Sequence, residues 1–462
     1  MPNMSSVRSN LNVVILAAGK GTRMHSDLPK VLHQVAGRAL LSHVITCAEK
    51  LEPENVVVVY GFGGRKVPEA IARDNILWAE QAEQLGTGHA VQQAMPLLGD
   101  EGITLVLLGD VPLLRAETCR TLIRNAEQHL ALLTVEKDIP TGYGRIVRSF
   151  DGRVQAIVEE KDADEEQRRI KEVNSGIMAM PTALLKQWLG RLRNENNQKE
   201  YYLTDVIAMA VADGVGVVTE RAQDEWEVIG INSKADLAGV ERIYQKNEAR
   251  RLMHAGVTLR DPERIDVRGR LKTGRDVEID IGCVFEGTVE LGDKVSIGPY
   301  CVIKDAIIAE GSVIAPYTHI DEATVGKDSR IGPYARLRPG TELVAEAHIG
   351  NFVEIKNSRV DHGSKINHLS YVGDSQVGKH VNIGAGTITC NYDGANKHRT
   401  IIGDHAFIGS DTQLVAPVTV EAGATIGAGS TITRDAPENS LTLSRSKQIT
   451  IQGWKRPVKT KK

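Results

Sequence analysis

The chain has 462 residues, of which 41% are hydrophobic and 25% charged, with a formal net charge of −3. That length exceeds what one hydrophobic core sustains and predicts two or three domains. The charge excludes the basic footprint of a nucleic-acid or membrane-surface binder, so neither partner is expected. The five cysteines, Cys47, Cys119, Cys283, Cys301 and Cys390, form no C-x-x-C pair. They predict a reduced compartment without structural zinc. Met1 to Asn10 is polar, and the apolar run Val13 to Ala18 is too short for a signal h-region or a membrane span. A cytoplasmic protein is expected.

Residues 11 to about 234 alternate strand-like and helix-like patterns. Asn12 to Ala17 reads as a buried strand, Ala39 to Leu51 as a helix and Asn55 to Tyr60 as a strand. His89 to Leu98 reads as a helix, and Ile103 to Leu108 as a strand ending at Gly109-Asp110. This alternation predicts a mostly parallel, Rossmann-like α/β sheet with helices on both faces. Ligands of such sheets lie beyond the carboxyl ends of the strands.

The loop after the first strand reads Leu16-Ala17-Ala18-Gly19-Lys20-Gly21-Thr22-Arg23-Met24, followed by Leu28-Pro29-Lys30. Its small residues let backbone N–H groups approach a phosphate or a base. Arg23 and Lys30 would bring positive charge to a triphosphate. Neither the dinucleotide fingerprint nor the P-loop pattern is met, because Met24 stands where a third glycine is needed and no G-K-[ST] ending occurs. By itself the loop is equally a tight strand–helix turn with solvated basic residues.

Ser233 to Gly256 reads as one connecting helix, capped by Ser233 and ended by Gly256, with Leu237, Val240, Ile243, Tyr244 and Leu252 on one stripe. Beyond it, from about residue 265 to 280 onward, aliphatic residues recur at a step of six. Val325, Ile331, Leu337, Leu343, Ile349 and Ile355 form one run, and Ile402, Ile408, Leu414, Val420, Ile426 and Ile432 another. A glycine often follows, and a small or β-branched residue sits two positions earlier. A six-residue period fits neither helix nor simple alternation. It predicts a left-handed parallel β-helix of hexapeptide repeats, three short strands per coil. The aliphatic residue and the one two before it point inward, and the residue between points outward. Four steps of five, 303 to 308, 320 to 325, 355 to 360 and 372 to 377, predict corners shortened by one residue. The rhythm fails between Ile383 and Ile402, where Asn391-Tyr392-Asp393-Gly394-Ala395-Asn396 should loop out. The expected domains are 1–234, a helical linker 235–255, a β-helix 256–440 and a basic tail 441–462. The tail holds Arg445, Lys447, Lys455, Arg456, Lys459, Lys461 and Lys462. Its last lysines read as a solubilising terminus, and Arg445 as the better contact residue.

The phase assigns sides. Arg338, Glu354, Lys356, His368, Tyr371 and Asn382 all fall at outward positions, as do Ala385, Ser410 and Ala428. Most outward residues of a β-helix are simply solvated. A group containing His, Glu, two cations, Tyr and Asn beside an extruded loop is better read as a site. Cys390, next to that loop, carries no sequence sign of a depressed pKa.

Residues 11 to 235 resemble the sugar-nucleotide pyrophosphorylase family, whose signature is L-A-A-G-x-G-T-R-M followed by P-K. Gln81, Gly86-Thr87, Gly109-Asp110, Thr141-Gly142-Tyr143-Gly144-Arg145, Glu159, Asn174-Ser175-Gly176 and Asn232 stand in that family's order. The resemblance implies that Leu16, Ala17, Ala18, Gly19, Lys30, Gln81, Gly86, Thr87 and Gly109 hold a nucleotide. It implies that Gly144, Glu159 and Asn174 hold a sugar, and that Asp110 and Asn232 ligate Mg²⁺. Leu108 departs from it, since an aromatic residue is expected there. With the stretch Gly384 to Lys397, the whole chain resembles the bacterial bifunctional uridylyltransferase/acetyltransferase family.

That likeness implies acetylation of glucosamine 1-phosphate by acetyl-CoA, then UMP transfer from UTP. His368 would be the general base, polarised by Glu354. Arg338, Lys356, Tyr371 and Asn382 would hold the sugar phosphate. Ala385, Asn391, Tyr392, Ser410, Ala428 and Arg445 would line the acetyl-CoA site, and the assembly would be a homotrimer. Two alternatives remain at this stage. One is a pyrophosphorylase whose β-helix serves only assembly or regulation, which would not need the His368 group. The other is a non-enzymatic scaffold, which could dispense with Arg23, Lys30 and Asp110.

Overall fold

The structure is a computed structural model and describes residues 10–459. Met1 to Ser9 of the polar N-terminal segment, and Lys461 and Lys462 of the basic tail, lie outside the described residues. The chain divides into two compact units, Met1–Tyr244 and Gln245–Lys462.

In the first unit, nine strands form one sheet. Its main path runs Val217–Arg221, Leu130–Glu136, Glu172–Pro181, Ile103–Leu108, Leu11–Ala17, Asn55–Tyr60 and Leu77–Glu80. Glu172–Pro181 is antiparallel to both neighbours, and the other neighbouring pairs of the path are parallel. The first strand is apolar but for Asn12, whose Oδ1 accepts from Asn55 Nδ2 at 2.9 Å, because both faces are covered. Val13, Ile15 and Ala17 enter one core, while Val14 and Ala18 enter another. The expected strands at Asn55–Tyr60 and Ile103–Leu108 form with those bounds. The expected helix over 89–98 starts earlier, at Thr87, and tightens into a 3₁₀ turn at Met95–Leu97, where Pro96 withholds an N–H. Register sets Leu16 beside Leu108 and Ala17 beside Tyr60. The loops that begin at Ala18, Gly61 and Gly109 therefore leave the sheet at one level.

The helix Lys234–His254 begins as the sequence predicts. Ser233 Oγ accepts from the Asp236 N–H at 3.1 Å, and Asp236 Oδ2 accepts from the Ser233 N–H at 2.8 Å. Gly256, with φ of +94°, follows its end. Val240 is buried in the first unit, whereas Ala249 and Leu252 are buried in the second. Gln245 is buried too, and its amide both donates to the Val267 carbonyl and accepts from the Val267 N–H.

The second unit is a parallel β-helix of hexapeptide repeats, with the strand arrangement of the left-handed class. Ile297, Ile303, Ile331, Leu337, Ile355, Ile366, Ile408 and Leu414 fill its interior, as the phase requires. Serines at inward positions give their hydroxyls to the next coil's backbone, as Ser312 Oγ does to the Gly326 carbonyl at 2.9 Å. Each of the four five-residue steps contains one corner residue of positive φ: Asp305 (44°), Glu322 (46°), Asn357 (44°) and Asp374 (48°). Six-residue steps use one as well, as at Tyr300 (58°) and Tyr334 (56°), so left-handed residues turn both kinds of corner. The first coil starts earlier than the hexads suggest, with Thr258–Leu259 paired to Glu278–Ile279. The period is hidden there because Ile265–Thr273 runs as one nine-residue strand. Gly269 permits this, since a Cβ at that position would lie 2.1 Å from the Gly287 carbonyl oxygen. Residues 392–397 leave the coil exposed, closed by an antiparallel bridge between Tyr392 and Lys397.

Candidate active sites

In the first unit a cavity of about 520 Å³ opens at the carboxyl end of the sheet. Leu16, Ala17, Ala18, Gly19, Lys20, Lys30, Gln81, Gly86, Thr87, Leu108 and Asp110 line it. Lys30 Nζ donates to Asp110 Oδ2 at 2.5 Å and to Asn232 Oδ1 at 3.2 Å. Asn232 arrives there because the Ile231 N–H bonds the Asp110 carbonyl at 3.0 Å. Gln81 is buried, and its Nε2 donates to the Gly86 carbonyl at 3.0 Å and meets His89 Nδ1 at 3.1 Å. Gly86 has φ of +109°, and a Cβ there would lie 2.6 Å from the Tyr201 carbonyl oxygen. Thr87 Oγ1 accepts from the Leu203 N–H at 3.1 Å. Residues 201–203 are thus strapped to the Gly86-Thr87 turn.

The sugar candidates sit beside this cavity rather than in its lining. Glu159 Oε1 accepts from Thr204 Oγ at 3.1 Å and lines an adjoining hollow with Asp162, Tyr202 and Asp205. Burial pushes the Glu159 carboxyl up. Asn174 donates its N–H to the Gly144 carbonyl at 2.9 Å. Leu108, the departure from the family pattern, faces Gly176, where a Cβ would lie 2.8 Å from its Cδ1. Arg23 is exposed on the 3₁₀ turn Thr22–Met24 and is not among the residues lining the cavity, whereas Lys20 is.

In the second unit His368 is exposed, and its Nδ1 lies 2.9 Å from Asn351 Oδ1 one coil earlier. If Nδ1 donates there, Nε2 keeps its lone pair free for a substrate proton. Within one chain Glu354 is not hydrogen-bonded to His368. It lies across the corner, in register with Tyr371, and its carboxylate meets Arg338 at 2.7 Å and Arg336 at 3.8 Å. From His368 an edge of small residues runs coil by coil. The Gly386 N–H bonds the His368 carbonyl, the Asp411 N–H bonds that of Ala385, and the Gly429 N–H bonds that of Ser410. Arg445 Nη1 closes the line on the Ala428 carbonyl at 2.8 Å.

At the far corner of the Tyr371 face, Asn391 is buried and donates to Asp374, with Nδ2 also 3.5 Å from the Tyr371 hydroxyl. Burial alone would raise the Asp374 carboxyl. Hydrogen bonds from Asn357 and Asn391, with the Lys356 and Lys397 charges, outweigh it and hold the carboxyl below its usual range. The nearby Lys356 ammonium holds the Lys397 ammonium below its usual range. Two cations therefore meet at this corner. Tyr392 is exposed and gives its hydroxyl to the Gly394 carbonyl at 2.6 Å. Asn382 is on another face, in register with Lys365 and Phe407. Burial raises the Cys390 thiol and pushes Cys283 to about 11 and Cys301 to about 12, so none is primed as a nucleophile.

Comparison with known proteins covers both units. Residues 13–177 match the MobA-like NTP transferase domain, residues 267–347 the GMPPB C-terminal domain, and residues 399–434 the bacterial transferase hexapeptide family. Bifunctional protein GlmU of Methylobacillus flagellatus is 65% identical over 98% of this chain and 99% of its own length. Those of Nitrosospira multiformis and Cupriavidus pinatubonensis are each 60% identical over 98% of this chain, and over 99% and 100% of their own lengths. The chain belongs to the GlmU family.

A GlmU-family chain is a bifunctional enzyme, a nucleotidyltransferase joined to a hexapeptide acetyltransferase. The activity of its NTP transferase domain is nucleotidyl transfer with a divalent metal, and the enzyme acts on small-molecule substrates. The residues fit such an ion: the oxygens of Asp110 and Asn232 already converge on one cation, Lys30. Among the described residues no group of three or more His, Cys, Asp or Glu could hold a metal. Hexapeptide repeats also go with oligomerisation. Among the described residues no helix is long and apolar enough to cross a membrane.

Sequence reasoning did not single out Lys20 or Glu200, both of which line the cavity, nor Thr204, Asn351 or Lys397. Lys20 stands inside the glycine loop and Lys397 ends the quoted stretch from Gly384, so both were within reach. Glu200, Thr204 and Asn351 carry no local signal, because only folding brings them to their partners.

Proposed function

We propose that this chain acetylates glucosamine 1-phosphate with acetyl-CoA and then joins the product to UMP from UTP, giving UDP-N-acetylglucosamine and pyrophosphate. The observation that carries the reading is the presence, in one chain, of the Lys30–Asp110–Asn232 group under a glycine loop and of His368 at the head of an edge of small residues. A β-helix used only for assembly gives no reason for the His368–Asn351 contact or for the paired Lys356 and Lys397.

In the acetyl step Asn351 holds Nδ1 of His368, and Nε2 takes a proton from the 2-amino group as its nitrogen attacks the thioester carbonyl. The N–C bond forms, the C–S bond breaks, and coenzyme A leaves as the thiol. Lys356, Lys397 and Arg338 hold the sugar phosphate, Glu354 orients Arg338, and Tyr371 and Asn382 hold the sugar. Ala385, Ser410 and Ala428 leave room along the edge for the pantetheine arm, with Asn391, Tyr392 and Arg445 beside it.

In the uridylyl step a phosphate oxygen of N-acetylglucosamine 1-phosphate attacks the α-phosphorus of UTP, and the bond to the β-phosphate breaks. The loop Leu16–Gly19 with Gln81, Gly86, Thr87 and Gly109 holds the nucleotide. Gly144, Glu159 and Asn174 hold the sugar. Lys30 and Arg23 neutralise phosphate charge. Mg²⁺, held by Asp110 and Asn232, supplies further charge neutralisation when bound.

The acetyl site lies between copies in a homotrimer. What supports this is that Asn382 and Tyr371 stand on different outward faces, so no single face of one prism presents the whole sugar-binding set. The free thiols support a cytoplasmic location.

The test mixes glucosamine 1-phosphate, acetyl-CoA, UTP and Mg²⁺ and follows thiol and pyrophosphate release separately. Thiol release should need no UTP, and pyrophosphate release should need acetyl-CoA. Full pyrophosphate release without acetyl-CoA would refute the order, and no thiol release would leave a single-function pyrophosphorylase.

A further inference from the structure

Two oxygens from distant parts of the first unit, Asp110 Oδ2 and Asn232 Oδ1, converge on one ammonium group at 2.5 Å and 3.2 Å. The pair is enclosed, with the Lys30 and Asp110 side chains 13% and 17% exposed. We infer that Lys30 is a stand-in for the divalent cation: its ammonium occupies the ion's seat, and it must vacate that seat before the ion can enter. This rests on the proposal that Asp110 and Asn232 are the metal ligands.

Three observations support it. A Mg²⁺–oxygen bond is about 2.0–2.1 Å long, so an ion bound to both oxygens would overlap the space the ammonium now fills. The backbone at Lys30 cannot yield, because Val31 and Leu32 are buried in the same 3₁₀ turn. The side chain can move, because Lys30 and Asp110 line one cavity of about 520 Å³. The stem also supports the phosphate loop: at Gly21, with φ of +58°, a Cβ would lie 2.7 Å from Lys30 Cβ. A vacating ammonium therefore swings into the space that loop encloses, where a triphosphate would take it up.

Ion and nucleotide then favour each other without touching the same protein atom. Phosphates draw Lys30 off Asp110 and open the seat, and an ion in the seat releases Lys30 to the phosphates. Such coupling is reciprocal.

The test is Mn²⁺ binding to the full-length protein without nucleotide, read as loss of the free-ion paramagnetic resonance signal. Lys30→Met should bind Mn²⁺ more tightly, by about tenfold. Lys30→Arg retains a cation and should stay close to wild type. Lys20→Met removes an equal charge from the same cavity wall without contact to Asp110, and should change affinity by less than about twofold. Asp110→Asn should bind weakly with either residue at position 30. Unchanged affinity in Lys30→Met, with binding still lost in Asp110→Asn, would overturn the stand-in and leave the metal ligands in place. Wild-type affinity in Asp110→Asn would overturn both. An equal gain in Lys20→Met would reduce the effect to general charge and overturn the seat.

Discussion

His368 Nδ1 lies 2.9 Å from Asn351 Oδ1, one coil apart on the same edge of the β-helix. If Nδ1 donates in that contact, Nε2 keeps its lone pair for a substrate proton. Removing the imidazole by His368→Ala should cost acetyl transfer about a hundredfold to ten-thousandfold in kcat, with uridylyl transfer unchanged. Asn351→Ala leaves the base but frees its ring. It should lower kcat by about tenfold or more with little change in KM for glucosamine 1-phosphate. Thiol release measures both, and equal loss of the two activities in either variant would refute separate sites.

Asp110→Asn should act in the opposite sense. Uridylyl transfer should fall by at least about a hundredfold, while thiol release in the same preparation persists. Chelation of divalent ions should reproduce the pattern. Pyrophosphate release that survives excess chelator would remove Asp110 from the metal role.

Gly86→Ala should damage nucleotide binding through the strap at residues 201–203. The added Cβ would fall 2.6 Å from the Tyr201 carbonyl oxygen at a φ of +109°, so strap or turn must shift. A strained backbone of this kind costs on the order of 1–3 kcal/mol. The KM for UTP should rise and the melting temperature fall, while acetyl transfer stays level. An unchanged KM would mean that the Gly86-Thr87 turn does not touch the nucleotide.

Asp374 ties the 391–397 loop to its coil, and its folded-state carboxyl is held below the usual range. A depressed carboxyl contributes stability above the unfolded pKa, near 3.9, and loses it as pH falls through the lower folded value. Wild type should therefore melt above Asp374→Asn at neutral pH, and the gap should close below about pH 4. Thermal melts from pH 7 to pH 3 measure it. A gap that persists undiminished in acid would assign the effect to packing rather than charge.

Much of the architecture was legible because it is written in short-range patterns. The step of six specified which way Ile355, Ile366 and Ile408 point, and all three are buried. The same phase puts His368 and Tyr371 at outward positions, and His368 is exposed. The four five-residue steps marked corners that the chain turns with left-handed Asp305, Glu322, Asn357 and Asp374. The first coil was less legible, because its nine-residue strand carries no hexad break.

Periodicity and loop chemistry are local properties of the chain: a buried strand feeding a glycine loop, a capped helix, and an aliphatic prism with polar groups outside. Those follow from local sterics and from which side chains must leave water. The partners of each group were decided only by tertiary structure. Lys30 meets Asp110 and Asn232, Gly86 meets Tyr201, and His368 meets Asn351 rather than Glu354. Such contacts join residues far apart in the chain, and the geometry that selects among them exists only once sheet register and coil stacking have placed both ends.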